Sequence, residues 1–450
     1  MNHGVFTSEA ATGVVTPAEA ASGIPFVIAV APLSTVDADD RATALEPVLA
    51  TSYAEAAACL GYSDNWIDYG ISEFMFSHFK LFAQQPVIFL PLTETIATEA
   101  FDGDGSTKTF AVTAKPQTIQ KVTVGTATVE IASYVPSTGV ITLVNAPASG
   151  TGNVTAYYLS RPSDADAASA AEKVDLCMAK FGIIPDLIVA PGFSQSSTVA
   201  AAMEAKAGAI NGIFKGRAII DISASSYTAA ITAKNGGSYD ENAILCWPCG
   251  KLGDQVFHGS TLEAGRMSAT DTNNSGVPYE SPSNKSVPID GLCLDDGTEV
   301  ILTKAQGDIL NEAGINTFIN FIGGWKAWGN TTACYPSNRD VKDYLIPIAR
   351  MFDYVGNTLI KTFWGKVDNP MNRRLIDTIL DSANIWLNGL VGRGYLLGAR
   401  VEMLDAENPL TNLMAGKIVL HVYLTPPSPA QEIDFVLEYD ASYVESALSA

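Results

Sequence analysis

Cys246-Trp247-Pro248-Cys249 is the stretch whose residue types come nearest to a reactive site. A C-x-x-C pair supports dithiol redox chemistry when its nucleophilic thiol sits at a helix N-terminus, where the pKa falls. Here Cys249 runs on into Gly250-Lys251-Leu252-Gly253, which reads as a loop. No second C-x-x-C and no histidine cluster accompanies it, so a zinc site is not supported either. Asp102-Gly103-Asp104-Gly105-Ser106 opens like a calcium loop, but the glutamate such a loop needs falls on Thr113, and a turn between strands is expected instead. Gly192-Phe193-Ser194-Gln195-Ser196 lacks the second glycine of a nucleophile elbow. His3, His78, His258 and His421 leave few bases for a serine triad. The run Ile24–Ala31 is followed by Pro32-Leu33-Ser34-Thr35 rather than G-x-G-x-x-G, and no phosphate-binding G-x-x-x-x-G-K-[ST] occurs. Phe318, Phe321, Trp325 and Trp328 are expected to pack under the neighbouring Gly-rich turn rather than line a ligand groove. The chain therefore reads as a non-enzyme with no catalytic residue, no metal site and no cofactor.

The elements around these motifs alternate in type. Ile24–Ala31 and Pro86–Leu90 read as buried strands, with helical patterning over Ala42–Leu60 and Ile71–Phe82 between them. From about Thr93 to Arg161 charged residues thin out, and short strands alternate with Gly/Pro/Asp turns. This predicts a small all-β domain inserted in an α/β unit. The α/β rhythm then resumes. Helices are expected over Ala165–Phe181, Ser197–Ile210 and 303–313, and strands over Asp186–Ala190, Arg217–Ile222, Ala243–Trp247 and Ile315–Ile322. Residues 270–288 are too polar and Pro-rich for regular structure. Asp340–Thr362 and Arg373–Leu390 read as two long helices. The fold class is α/β multidomain: α/β core domains, the inserted β domain, and extended N- and C-terminal β arms.

Composition narrows the function classes. At 450 residues and 47% apolar content the chain has ample core, enough for two to four domains. Its net charge of −21 argues against non-specific binding to nucleic acid or an anionic membrane. Six scattered cysteines fit a reducing compartment better than a disulfide framework. The opening MNHGVFTSEAATGVV has neither a basic nor an apolar signal region, so no signal peptide is expected. No apolar run reaches the roughly 18–20 residues of a membrane-spanning helix.

The closing stretch carries two strand-like runs. Lys417–Leu424 places Ile418, Leu420, Val422 and Leu424 on one face. Glu432–Tyr439 places Ile433, Phe435, Leu437 and Tyr439 on one face, opposite Glu432, Asp434 and Glu438. Pro426-Pro427-Ser428-Pro429 separates them. Three prolines in four residues cannot form a tight hairpin, so the second strand is held away from the first and is free to pair on another chain. At the other terminus Val5 and Phe6, then Val14 and Val15, read either as short strand pieces or as part of a frayed terminus.

The ordered blocks of this sequence resemble the contractile-tail sheath proteins of bacteriophages and phage-tail-like particles. HGVFTSEAATGVVTPAEAASGIPFVIAVAP resembles that family's N-terminal arm and first strand, and PDLIVAPGFSQSSTVAAAMEAKA with RAIIDI resembles its central core. AILCWPCGKL lies where the family has an aromatic-rich strand end. GGWKAWGNTTACYPSNRDVKDYLIPIARMFDYV, NPMNRRLIDTILDSANIWLNGLVGRGYLLGARVEM and KIVLHVYLTPPSPAQEIDFVLEYD resemble its C-terminal domain and arm. GSTLEAGRMSATD keeps the family's Ala-Gly step and following Asp at Ala264, Gly265 and Asp271.

The resemblance implies a structural subunit that drives a tube through the bacterial envelope by contraction, as a virion tail component assembled in the host cytoplasm. It implies an N-terminal arm over 1–23, a core over 24–92 and 163–335, an outer-surface β insertion over 93–162, a tube-proximal C-terminal domain over 336–425, and a linker and arm over 426–450. The implied partners are copies of itself in stacked hexameric rings, the tail tube protein, and baseplate and tail terminator proteins, with no direct nucleic acid and no membrane. Each arm would add a strand to a neighbour's sheet. Ile433, Phe435, Leu437 and Tyr439 would form the C-terminal arm, and Val5, Phe6, Val14 and Val15 the N-terminal one. Ile418, Leu420 and Val422 would accept. Pro426, Pro427 and Pro429 would act as the hinge, with residues 12–22 also absorbing motion. The competing readings are a soluble α/β enzyme or ligand-binding protein with a β accessory domain, or a tube or baseplate component.

Overall fold

The computed structural model describes residues 15–116 and 118–448. Its centre is an eight-stranded sheet of β1 (Pro25–Val30), β2 (Val48–Ala50), β3 (Val87–Leu92), β4 (Leu187–Val189), β5 (Arg217–Asp221), β6 (Ala243–Cys246), β7 (Ile315–Asn320) and β8 (Trp325–Trp328). The spatial order is β8-β7-β6-β5-β4-β1-β3-β2. The inner six strands run parallel, and the edges β2 and β8 pair antiparallel. Every residue of β1 and β3 is buried, as strands covered by helices on both faces require. Phe26, Ile28, Ile88 and Leu90 pack with Ala167, Val174, Val199 and Met203. Val27, Ala29 and Phe89 pack with Ile71, Phe74, Ala264 and Met267. The β8 edge is closed by the segment before it: Val287 N–H donates to Trp325 C=O at 3.0 Å, and Ala327 N–H to Lys285 C=O at 3.0 Å.

Several sequence expectations are corrected here. The helix expected over Ala42–Leu60 is only Tyr53–Leu60, started by the Ser52 side chain, and Val48–Ala50 before it is the edge strand β2. Ile71–Phe82 begins as an α-helix over Gly70–Met75 and widens to a π-helix over Phe76–Leu81. Ala165–Phe181 is broken by a 3-10 turn at Glu172–Asp175. The loop expected from 270 starts later, because helix α1 (Gly259–Asn273) runs through the Ala264-Gly265 block into the core. Gly265 is required there: a Cβ would lie 2.3 Å from the Phe82 ring. Cys249–Leu252 is a strand rather than a loop, within a small sheet with Gln255–Phe257, Gly291–Cys293 and Glu299–Val300.

Between β3 and the helix at Asp164 the chain forms two antiparallel sheets around Phe110, Val122, Ile141, Val154 and Tyr158. The first and last strands of this segment, Thr95–Gly103 and Gly150–Ser160, pair with each other down to Thr95↔Ser160, so the segment leaves and rejoins the core through a paired neck. Just past it, Arg161 stacks on Phe193 and donates to the Gly192 carbonyl.

The C-terminal layer consists of α2 (Ile346–Phe363), α3 (Arg373–Gly392), β9 (Gly398–Glu402) and β10 (His421–Thr425). Met351, Tyr354, Val355, Trp386, Leu387 and Val401 form its core, with Leu420, Val422 and Leu424 packed against it. Ion pairs at two buried arginines bolt α2 to the central sheet and to α1. Arg217 meets Asp353 at 2.7 Å. Arg350 reaches Asp271 at 2.5 Å and Asp186 at 2.6 Å. Burial works against the Arg350 charge, but the Asp271 and Asp186 carboxylates override it and raise its pKa. Ser22 Oγ donates to the same Asp271 at 2.6 Å, and Ile24 N–H to Asp186 at 2.8 Å.

Arg350→Ala would leave the buried Asp271 and the half-buried Asp186 without their cation. We expect it to destabilise the subunit by about 3–5 kcal/mol, read as a lowered thermal midpoint of the dilute protein.

Candidate assembly site

The two termini meet the C-terminal layer in opposite ways. Residues 15–20 run along α2 and α3, which offer hydroxyls to their backbone. Val15 N–H donates to Ser382 Oγ at 2.9 Å, Ala18 N–H to Thr362 Oγ1 at 3.0 Å, and Ala20 N–H to Thr358 Oγ1 at 2.9 Å. The Trp386 indole donates to the Glu19 carboxylate at 3.0 Å. Val15 is thus fastened within its own chain, and residues 15–22 are not the free hinge expected of 12–22. Val5, Phe6 and Val14 lie outside the described residues.

Among the described residues the C-terminal stretch has no such fastening. Beyond β10, residues 426–440 form no strand, and the expected strand Glu432–Tyr439 has no pairing partner among the described residues. Ile433, Phe435, Leu437 and Tyr439 are 72%, 81%, 95% and 80% exposed. Pro426 is buried at the exit, and Pro427 and Pro429 are half-buried. The stretch ends in α4 (Ser442–Leu448), which no periodicity argument had marked. Asp440 accepts from the Ser442 N–H at 2.9 Å at its start.

The sheet beside this arm has two strands, with Val401 opposite Val422 and Arg400 opposite Tyr423. Ala399, Val401, Val422 and Leu424 face the helices. Arg400 stacks on Tyr423 at 3.8 Å, and His421 lies 4.3 Å from the same ring. The strand expected over Lys417–Leu424 is shorter at its start. Asn408 takes both backbone groups of Val419, each at 2.8 Å, so Ile418 and Leu420 precede the ladder rather than join it. Among the described residues no third strand lies on either outer edge.

No protein-family model matches the chain. Over 280 residues, or 59% of its length, it is 26% identical to the tail sheath protein of Burkholderia phage BcepMu, spanning 57% of that protein. It is likewise 26% identical over 282 residues, 60% of the chain, to a prophage major tail sheath protein of Pseudomonas aeruginosa (strain UCBPP-PA14), spanning 68% of it. The fold matches the contracted helical sheath of the anti-feeding prophage with a TM-score of 0.62 at 16% identity, over 97% of this chain and 99% of that one. The chain is similar in sequence and in fold to contractile tail sheath proteins.

The motifs that suggested chemistry serve packing. Cys246 and Cys249 are buried, and burial pushes both thiols well above their ordinary pKa, which disfavours the thiolate that redox exchange needs. Between them the Trp247 indole donates to Ala224 C=O at 3.0 Å. Asp104 closes a turn, accepting from Ser106 N–H at 2.7 Å and from Thr107 N–H and Oγ1 at 2.6 Å each. Ser194 is buried and donates to Asp221 at 2.9 Å. Phe318 is buried, and Trp328 donates to Asp308 at 3.0 Å. Phe321 is the exception to the packing expectation, standing 60% exposed at the β7–β8 turn.

His258, weighed in the sequence only as a base for a serine triad, lies just before α1. Its ring meets Glu73 at 2.7 Å, and its N–H donates to the other oxygen at 2.8 Å. Burial lowers its pKa, but Glu73, with Asp221 and Asp295 behind it, wins and raises it to about 9. A raised histidine pKa contributes stability that is full below the unfolded value of about 6.5. That contribution is lost as pH rises through the folded value. We expect the thermal midpoint to fall between pH 7 and pH 10, and Glu73→Gln to flatten the fall.

Proposed function

We propose that the chain is the subunit of a contractile sheath, a structural protein and not an enzyme, in a phage tail or tail-like particle. The exposed apolar arm Ile433-Phe435-Leu437-Tyr439, set beyond a proline stop and beside a two-stranded sheet, carries this reading. A sheet of two strands is short of the three or more that stability normally takes, and a strand with one apolar face is short of a sheet. Each subunit supplies both halves, and the proline spacer keeps them from closing on themselves. Copies then link arm to sheet, and many weak links acting together make a stable lattice.

In this reading hexameric rings stack helically around a tail tube, with baseplate and terminator proteins at the ends. The β-rich segment within 93–162 lies on the outer surface, and the C-terminal domain faces the tube. Val5, Phe6 and Val14 belong to an N-terminal arm. Contraction needs no catalyst: the extended lattice is the less favourable packing, folded domains turn as near-rigid bodies, and Thr425–Ala430 absorbs the motion. That motion drives the tube through a bacterial envelope. Repulsion between subunits at −21 each opposes assembly and is screened by salt.

Deleting Gln431–Ala450 is expected to yield folded, soluble subunits that form no tubes in negative-stain images, while the full chain forms hollow striated polymers. Normal tubes from the deletion would overturn the arm reading. Tube yield from the full chain should rise with salt, and a flat yield would remove the electrostatic part.

A further inference from the structure

The spacing of Cys246 and Cys249 suggests one dithiol, and the fold builds another. Cys246 ends β6 beside Asp221 in the central sheet and packs with Ala264 and Met267. Cys249 opens a strand of the small sheet, where the residue directly opposite is Cys293. All six cysteines are free thiols. Directly opposite residues of an antiparallel pair point to the same face. Gly250 and Leu292, the next rung, belong to the other face, where a Cβ on Gly250 would meet Leu262 and Ile289. Such a rung holds its two Cα atoms about 4.5–5.5 Å apart, inside the roughly 4.4–6.8 Å that a disulfide spans. Cys293 Sγ lies 4.0 Å from the Gly250 carbonyl oxygen, so it leans across the ladder toward the start of the facing strand. Cys249 Sγ donates to Asp295 at 3.0 Å. Both groups line a cleft of about 440 Å³, with Asp221, Trp247 and Leu294, which gives a small molecule a way to this thiol.

We propose that Cys249 and Cys293 are a latent cross-strand disulfide: a dithiol in reducing surroundings, closed by a small two-electron oxidant that enters this cleft. Turning the Cys249 side chain from Asp295 toward Cys293 brings the sulfurs together. With a diazene dicarboxamide as oxidant, one cysteine sulfur adds to the N=N bond and the other attacks that sulfur. The S–S bond forms, the S–N bond breaks, and both thiol protons end on the hydrazine product. Burial pushes the Cys249 thiol well above its ordinary pKa and the Cys293 thiol up to about 11, so thiolate is scarce and closure at neutral pH is slow. The same enclosure shields the bond from reductants once it has formed. The bond joins the two flanks of the segment that carries α1, and α1 supplies Asp271 to Arg350. Closing it therefore restrains the core where the C-terminal layer is bolted on. The pair is a property of the subunit itself and does not depend on the sheath reading.

The test treats the folded full chain, as Cys59→Ala to remove the half-buried thiol, with diazene dicarboxamide for hours, then denatures and alkylates it. The expected product is a Cys249–Cys293 cross-linked peptide lighter by two hydrogens than its reduced halves, with every other thiol alkylated. Cys293→Ala is expected to lose the bond and Cys246→Ala to keep it. The bonded protein is expected to melt at a higher temperature than the reduced one. Full alkylation of Cys249 and Cys293 after oxidation, or a bond mapped between Cys246 and Cys249, would overturn the pair. A bond that forms only when the chain is first unfolded in urea would do the same. An unchanged thermal midpoint in the bonded protein would overturn the restraint on the core.

Discussion

A guanidinium buried away from water keeps its charge only while carboxylates stay beside it, and Arg350 meets that demand where three pieces of chain converge. Asp186 comes from just before β4, Asp271 from the end of α1, and Ser22 from the segment entering β1. Removing any one leaves a buried charge short of partners, so the pieces stay together or the site fails as a whole. Arg217 and Asp353 repeat the arrangement further along α2. The central sheet, the C-terminal helices and the segment before β1 therefore behave as one block. Gly23 makes the approach feasible: it turns at φ +71, and a Cβ there would lie 2.9 Å from Ser268 Cα.

A block tied this way has consequences for motion. Relative displacement between core and C-terminal layer would break charge-assisted hydrogen bonds in a low-dielectric interior, the costliest place to break them. The cheaper degrees of freedom lie past Thr425, where the backbone makes few contacts. The N-terminal side contrasts with this, because the hydroxyls of Thr358, Thr362 and Ser382 tie residues 15–20 to the helices. Flexibility is thus placed by hydrogen-bond supply, and the two ends of the chain differ because α2 and α3 offer donors' partners to one and not to the other.

How much of this can be read from residues alone follows the same physics. β1 and β3 are continuous apolar runs, and α2 and α3 carry a 3.6-residue period, so their patterns name them. α1 has no such signal. Its small and polar residues Ser260, Thr261, Ser268 and Thr270 are buried, and only tertiary packing makes a helix of them. β9 is five residues, Gly398–Glu402, with Arg400 in the middle, and it becomes visible as a strand only through β10. The clamps of Asn384 on Val401 and Asn408 on Val419 join positions 17 and 11 residues apart. An asparagine carries no mark that says which backbone it will hold. The arm is the converse case: its alternation is plain in the sequence, yet in a lone subunit it forms no strand, since a strand is a property of a pair.

That last point bears on why the proline stop matters. An arm able to fold back would satisfy β10 within its own subunit, and the concentration of a tethered segment would outcompete any neighbour. Polymerisation would then have to displace a formed hairpin. Pro426, Pro427 and Pro429 lack N–H groups and fix φ near the polyproline value, so the short return path is closed. The segment is carried outward at roughly 3.1 Å per residue while it stays extended. In the proposed sheath reading, the open edge and the strand that would fill it remain separate in one subunit and meet only between two. The same stiffness keeps the joint from collapsing when neighbouring blocks move, because a spacer that cannot form a turn transmits direction as well as reach. On that reading, a few residues without backbone donors separate a closed monomer from a linkable one.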